Sequence, residues 1–140
     1  MAEALLRLAL PLPTTWRVAS AGLAACEGCP ASEAAVKAIA EVGGDLQEHC
    51  SRPVTPRLVQ EAAAIVVMTD AHAQQITGLY PSARDKLFLL RAFDPDAPAQ
   101  SNVADPFRGS LDDYRKCRDL IRRAIPGLVN YLTQTALPAL

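Results

Sequence analysis

The chain has 140 residues, half of them hydrophobic, and a formal net charge of −1. This length and composition suffice for a core, so residues 1–140 are interpreted as a single domain. The near-neutral charge and the lack of a basic stripe argue against nucleic acid as a partner. No apolar run approaches the roughly 18–20 residues that a membrane span needs, and the first residues lack the cationic start of a signal peptide.

The four cysteines are Cys26, Cys29, Cys50 and Cys117. Their low density favours a reduced, cytoplasmic setting over a disulfide framework. Cys26 and Cys29 form a lone C-x-x-C pattern ahead of a predicted helix and are interpreted as incidental loop cysteines. Two alternatives stay open for the pair, namely a redox couple and half of a metal site completed by His49 and Cys50.

Hydrophobic periodicity and turn signals predict alternating helices and strands along the chain. The predicted elements are a helix over 2–10, a strand over 16–20, a helix from the cap Ser32 to about 42, a short helix opening at Thr55-Pro56, a strand over 64–68, a helix capped by Thr69 or Asp70 and ending near Gly78, a strand over 86–90, and a long helix capped by Ser110. Pro126-Gly127 predicts a break or kink in that last helix. The alternation predicts an α/β fold, in which the active site lies beyond the carboxyl ends of parallel strands.

Several segments carry a family resemblance through their order and spacing: MAEALL at 1–6, WRVASAG at 16–22, HCSRPVT at 49–55, AAIVVMT at 63–69, ARDKLFLL at 83–90 and VADPFRGSLDDY at 103–114. Together they resemble the low-molecular-weight protein-tyrosine-phosphatase family over residues 1 to about 125, with the closest likeness to its bacterial protein-arginine-phosphatase branch. The resemblance implies a three-layer α/β sandwich with a short parallel sheet (phosphotyrosine phosphatase I-like). It also implies a phosphorylated protein substrate and a cysteinyl-phosphate intermediate, without cofactor or metal.

The catalytic loop of that family has the pattern C-x5-R-S/T, joins the first strand to the first helix, and is followed by P-M-A-E-A. Here Met1-Ala2-Glu3-Ala4 matches the residues after the loop, so the loop and the central first strand are absent from residues 1–140. Cys117 and Arg123 have C-x5-R spacing, but Ala124 follows them and the stretch between them is helical. Helical amides are already hydrogen-bonded and cannot cradle an anion. No nucleophile is therefore predicted within this chain.

Three other site residues follow from the resemblance. Asp105, in Asp-Pro-Phe, matches the general acid and base, and the alternative is a loop aspartate that fixes the turn before Pro106. Ser20 and His49 match positions that hydrogen-bond to the catalytic loop and support its shape. The alternatives are a strand-end hydroxyl bonded to nearby backbone for Ser20 and a satisfied surface or core histidine for His49.

The stretch from Leu23 to Cys26 contains no aromatic residue where tyrosine-specific members place one. This favours phosphoarginine over phosphotyrosine, although Arg108 departs from the residues usual after Phe107. Two hypotheses follow for function. In the first, Met1 is internal to a longer, active phosphatase, and residues 1–140 alone are inactive. In the second, a shortened chain acts as a binding or regulatory pseudophosphatase. The sequence predicts no oligomeric state.

Overall fold

A computed structural model describes residues 1–99 and 101–135 of the chain. Its helices and strands are α1 (Ala2–Ala9), α2 (Glu33–Ala40), α3 (Pro56–Glu61), β1 (Ile65–Val67), α4 (Asp70–Leu79), β2 (Leu87–Leu89) and α5 (Leu111–Gln134). Short 3₁₀ segments precede and follow β2 at Pro81–Lys86 and Leu90–Phe93. In this part of the chain, no helix is long and apolar enough to cross a membrane.

Side-chain caps set the starts of four helices where the sequence predicted them. A hydroxyl at each N-cap accepts a hydrogen bond from a free amide of the first turn, which removes the cost of leaving that donor unpaired. The capping residues are Ser32, Thr55, Thr69 and Ser110, for α2, α3, α4 and α5 respectively. At α5 the Asp113 carboxylate also accepts from the Ser110 amide, which completes a capping box.

The parallel pair β1 and β2 lies between two apolar layers. The strands pair in register, with Val66 opposite Phe88. On one side, buried residues of α1, α2 and α5 form the larger core, with Leu5, Ile39 and Ile121 among them. On the other side, Val59, Val67, Ile76 and Ala83 form a smaller core under α3 and α4. This arrangement is the α/β fold with a short parallel sheet flanked by helices that the sequence predicted.

The prediction of a strand over 16–20 is wrong, because these residues form no strand in the structure. Among the described residues this segment makes no main-chain ladder with β1, and its carbonyls bond to side chains instead. Arg7 donates to the Val18 carbonyl and Arg52 donates to the Ser20 carbonyl. The alternation of Trp16 and Val18 is that of a half-buried extended segment, because both pack against the larger core. A strand also needs a neighbouring backbone, and alternation alone does not supply one.

The sequence predicted a break or kink at Pro126-Gly127. A break is wrong, because α5 continues through both residues to Gln134. Proline inside a helix costs about 3 kcal/mol. Beyond it, Leu128 and Leu132 are both buried in the larger core, and each such side chain contributes roughly 1.5–3 kcal/mol. Tyr131 adds an aromatic contact, with its ring centroid 5.2 Å from that of Phe88. Tertiary burial therefore outweighs the local signal.

An ion-pair cluster joins the end of α2 to the first half of α5. The Glu41 carboxylate accepts hydrogen bonds from the guanidinium groups of Arg115 and Arg118, and Arg118 also donates to the Ala38 carbonyl. These bonds, from Arg115 first and then Arg118, lower the pKa of Glu41 to about 2. The carboxylate thus stays ionised and paired well below its ordinary titration range.

Position 127 of α5 has to be glycine because the backbone of Phe93 comes close to it. A substitution there tests the packing of α5 against the segment of Phe93. A Cβ at this position would lie 2.2 Å from the Phe93 carbonyl oxygen, a backbone atom that cannot swing aside. We expect Gly127→Ala to lower the free energy of unfolding by at least about 2 kcal/mol, measured by chemical denaturation. The matched control is Gly78→Ala in α4, where a Cβ meets nothing within 4 Å. That change should be neutral or stabilising by up to about 1 kcal/mol. Equal stability of the two variants would contradict the packing.

Candidate active site

An open cleft of about 460 Å³ lies where the first helix, the extended segment and the loop after α2 meet. Its walls are polar and carry charges of both signs. The lining residues are Glu3, Ala4, Arg7, Ala19, Ser20, Asp45, Leu46, Glu48, His49, Cys50 and Arg52. Ser20 and His49, which are far apart in the sequence, are therefore brought together in one cleft.

Glu3 is the centre of the hydrogen-bond network in this cleft. One of its carboxylate oxygens pairs with Arg7 at 2.7 Å, one helical turn further along α1. The other accepts a hydrogen bond from the Ser20 hydroxyl and lies 3.9 Å from Nδ1 of His49. The Glu3 side chain is only 16% exposed, and these partners surround it. The carboxylate thus links α1 to the extended segment and lies beside the loop of His49.

A second set of bonds fixes residues 50–54, of which Cys50 and Arg52 line the cleft. The Gly22 amide donates to the Arg52 carbonyl at 2.9 Å, and the Val54 amide donates back to the Gly22 carbonyl at 3.1 Å. Nε of Arg52 donates to the Ser20 carbonyl at 3.1 Å. Ser20 is therefore fixed through its hydroxyl by Glu3 and through its carbonyl by Arg52.

Asp105 lies on a loop that is attached to the carboxyl end of β1. The Val103 amide donates to the Met68 carbonyl at 2.8 Å, and Val103 is buried. The Asn102 side chain accepts from the Asp70 amide at 2.9 Å, the first amide of α4. Asp105 itself is exposed, and its Oδ1 accepts from the Phe107 amide at 3.0 Å. The carboxylate is thus presented at the strand-end edge of the sheet, although it does not line the cleft of Ser20 and His49.

Neither Cys117 nor Cys50 has the surroundings of a phosphoryl nucleophile. Cys117 is a core-facing residue of α5, and its burial raises the pKa of its thiol, which outweighs the opposing effect of the N-terminal ammonium group. Arg123, which shares its C-x5-R spacing, is exposed on the same helix. Cys50 is exposed in the cleft, but the amides of His49 and Ser51 beside it already donate to Leu46 and Cys29 carbonyls. Bonded amides cannot cradle a phosphate.

Cys26 and Cys29 are joined by a disulfide, which differs from their interpretation as incidental cysteines in a reduced setting. In this state their sulfurs are not thiolate ligands for a metal. In the described part of the chain, no group of three or more His, Cys, Asp or Glu residues is placed to hold a metal ion. The short spacing of the pair was the sequence signal for pairing. The spacing alone could not show that a disulfide forms, because that depends on the turn that brings the two sulfurs together.

The sequence missed two contributors to the cleft. Glu3 and Arg52 were not assigned roles, yet Glu3 contacts Ser20 and Arg52 holds its carbonyl. One signal for Glu3 was available, since Glu3 and Arg7 are four residues apart on one helix face, the spacing of a helical ion pair. The contact of Arg52 spans 32 positions and leaves no local trace.

A parallel sheet between helices, with the Asp105 loop attached at the carboxyl end of a strand, has the arrangement in which α/β proteins place their binding sites. The chain matches the family model of the low molecular weight phosphotyrosine protein phosphatases over residues 1–137. It therefore belongs to that family.

Relatives of two kinds match at similar identity. A probable low molecular weight protein-tyrosine-phosphatase, EpsP of Ralstonia nicotianae, is 35% identical over 129 residues, which cover 92% of this chain and 83% of EpsP. The protein-arginine-phosphatase of Bacillus subtilis is 34% identical over 115 residues, which cover 82% of this chain and 75% of that protein. Among solved structures, the YwlE arginine phosphatase from Geobacillus stearothermophilus superposes with a TM-score of 0.86 at 33% identity, covering 97% of this chain and 85% of that one.

The attachment of the Asp105 loop can be tested through Asn102. Asn102→Ala removes the acceptor for the Asp70 amide and with it one of the bonds that hold the loop to β1 and α4. A lost hydrogen bond of about 1 kcal/mol should speed exchange of the Val103 amide about fivefold, as measured by hydrogen–deuterium exchange. Asn130→Ala is the control and should leave Val103 unchanged, because Asn130 is exposed on α5 and its side chain bonds to the Gln134 side chain. An unchanged Val103 amide in Asn102→Ala would show that this bond does not anchor the loop.

Proposed function

We propose that this domain is the scaffold and acid–base part of a phosphoprotein phosphatase that acts on phosphoarginine or phosphotyrosine. Asp105 protonates the leaving group and then activates water, while Ser20 and His49 support the loop that binds the phosphoryl group. The substrate is a phosphorylated protein, and the reaction uses no cofactor or metal. The protein acts in the cytoplasm. Family membership and the names of the relatives support the reaction class.

The observation that carries the proposal is the meeting of Ser20 and His49 around Glu3 at the first turn of α1. Their side chains converge from segments 29 residues apart in the sequence, and the cleft they line is open to solvent. The cleft wall beside that turn contains a hydroxyl, an imidazole and two arginines, and it also contains the carboxylates of Glu3, Asp45 and Glu48. The hydroxyl, the imidazole and the arginines are the groups that can donate hydrogen bonds to a loop placed there.

Residues 1–140 by themselves are proposed to lack turnover. Within them only Cys117 and Arg123 have the C-x5-R spacing, and the burial of Cys117 within a helix disqualifies it. A thiolate is needed to attack phosphorus and form the covalent intermediate, and its amide cradle is needed to stabilise the transferring group. An acid without these partners protonates no leaving group.

The test compares the polypeptide 1–140 with a fusion in which a strand and C-x5-R-S/T-P segment from a relative is joined ahead of Met1. The polypeptide alone should not hydrolyse para-nitrophenyl phosphate, phosphoarginine or phosphotyrosine above buffer. The fusion should hydrolyse at least one of them, and Asp105→Asn should reduce its kcat by on the order of 10²–10⁴. Asp85→Asn, an exposed aspartate outside the site, is the control and should leave kcat unchanged.

The outcomes separate the alternatives. A folded fusion without activity, or one insensitive to Asp105→Asn, contradicts the assignment of Asp105. Turnover by residues 1–140 alone contradicts the proposed lack of a nucleophile. Specific binding of a phosphopeptide by 1–140 with no turnover in either form favours the binding or regulatory pseudophosphatase. The ratio of kcat/KM for phosphoarginine and phosphotyrosine in the fusion decides the substrate class.

A further inference from the structure

We propose that Cys26 and Cys29 form a thiol–disulfide exchange site whose redox state controls the order of the cleft wall at residues 50–52. The reaction partner is a small dithiol or a dithiol protein of the kind that reduces C-x-x-C disulfides. This proposal concerns a site separate from the phosphatase chemistry and does not depend on it.

The disulfide lies where a reductant can approach it. Cys26 is an exposed residue and Cys29 is half-buried, so Cys26 is the more open of the two to attack. Gly28, between them, has a φ of 77°, a conformation that glycine adopts readily and that turns the chain back on itself. The bond joins residues only three positions apart, and a disulfide stabilises a fold less when the loop that it closes is shorter. These features are typical of an exchangeable rather than a structural disulfide.

The turn is tied to the cleft wall through one residue, Ser51. The Ser51 hydroxyl donates to the Cys26 carbonyl at 2.6 Å, and the Ser51 amide donates to the Cys29 carbonyl at 2.8 Å. The Gly28 amide donates in turn to the Ser51 carbonyl at 2.8 Å. The hydrogen bonds of Ser51 therefore depend on the orientation of both cysteine carbonyls, which the disulfide holds towards Ser51.

Ser51 lies between two residues of the cleft. Cys50 precedes it and lines the cleft, and Arg52 follows it and donates to the Ser20 carbonyl. A change in the turn is therefore one residue away from the groups that fix Ser20. The three bonds to Ser51 are ordinary hydrogen bonds, so reduction loosens this contact without unfolding the core, to which neither cysteine belongs.

The exchange is balanced with two thiols from the reductant. Its first thiolate attacks Sγ of Cys26, the Cys26–Cys29 bond breaks, and Cys29 leaves as a thiolate that takes a proton from water. The second thiolate then attacks the reductant's own sulfur in the mixed disulfide. This step releases Cys26 as a thiolate, which is also protonated, and leaves the reductant as its disulfide. Two electrons pass to the protein, and oxidation reverses the steps.

The experiment uses the 1–140 protein with dithiothreitol as the dithiol and its cyclic disulfide as the oxidant. After equilibration, native protein is alkylated and its peptides are analysed by mass spectrometry. Oxidised protein should be labelled at Cys50 and not at Cys26 or Cys29, and reduced protein should be labelled at all three. Glutathione disulfide added to Cys29→Ser should form a mixed disulfide at Cys26.

Hydrogen–deuterium exchange measures the coupling to the cleft wall. Reduction should speed exchange of the Gly28 and Ser51 amides about tenfold while the amides of α5 stay unchanged. The double variant Cys26→Ser/Cys29→Ser should show the faster rate and no response to dithiothreitol, and Cys50→Ser should keep the response. Thiols at Cys26 and Cys29 under oxidising conditions, a disulfide between chains, or unchanged Ser51 exchange on reduction would each overturn the proposal.

Discussion

The Glu3 carboxylate is the constraint on which the candidate site depends. It is mostly withdrawn from water, and a charge in that position is stable only when other groups replace its hydration. Arg7 pairs with it and Ser20 donates a hydrogen bond to it, while His49 lies 3.9 Å away, and these residues come from a helix, an extended segment and a loop. One half-buried carboxylate thus joins α1 to the extended segment and lies beside the loop of His49.

The position of Glu3 is coupled to the larger core because the helix that carries Glu3, α1, packs against that core. Leu5 and Leu10 are buried in the larger core with residues of α5, so the helix that carries Glu3 has a fixed position relative to the sheet. The extended segment has no strand partner in the described part of the chain and is held by side chains, with Arg7 and Arg52 on its carbonyls. Its geometry is thus set by arginine contacts where a β-sheet would use backbone bonds.

Much of the fold could be predicted from the sequence because its signals are local. The caps Ser32, Thr55, Thr69 and Ser110 mark helix starts through bonds to amides a few residues away. The apolar run ending at Met68 marks a buried parallel strand for the same reason. The errors arose where distant residues decide the outcome. Pro126-Gly127 stays helical because α5 buries leucines beyond it, and Gly127 is needed for the contact with Phe93.

The site was predictable in part for a similar reason. Resemblance to a family pointed to Ser20 and His49, and the structure brings both to one cleft, but their roles stay predictions, as does that of Asp105. Glu3 and Arg52 were missed because a motif records which residues recur and not which atoms they contact. The pairing of Cys26 with Cys29 depends on the turn at Gly28 and the bonds to Ser51, which a C-x-x-C pattern does not encode.

The central claim is that Glu3 and Ser20 are coupled, and a double-mutant cycle measures this directly. Glu3→Gln, Ser20→Ala and the double variant are compared with the unchanged chain by chemical denaturation. A hydrogen bond to a charged, mostly buried carboxylate predicts a coupling of about 1–2 kcal/mol. The exposed pair Glu33 and Lys37, also in contact at 3.0 Å, serves as the reference and should give less than about 0.5 kcal/mol. A Glu3–Ser20 coupling no larger than that of the reference pair would contradict the account.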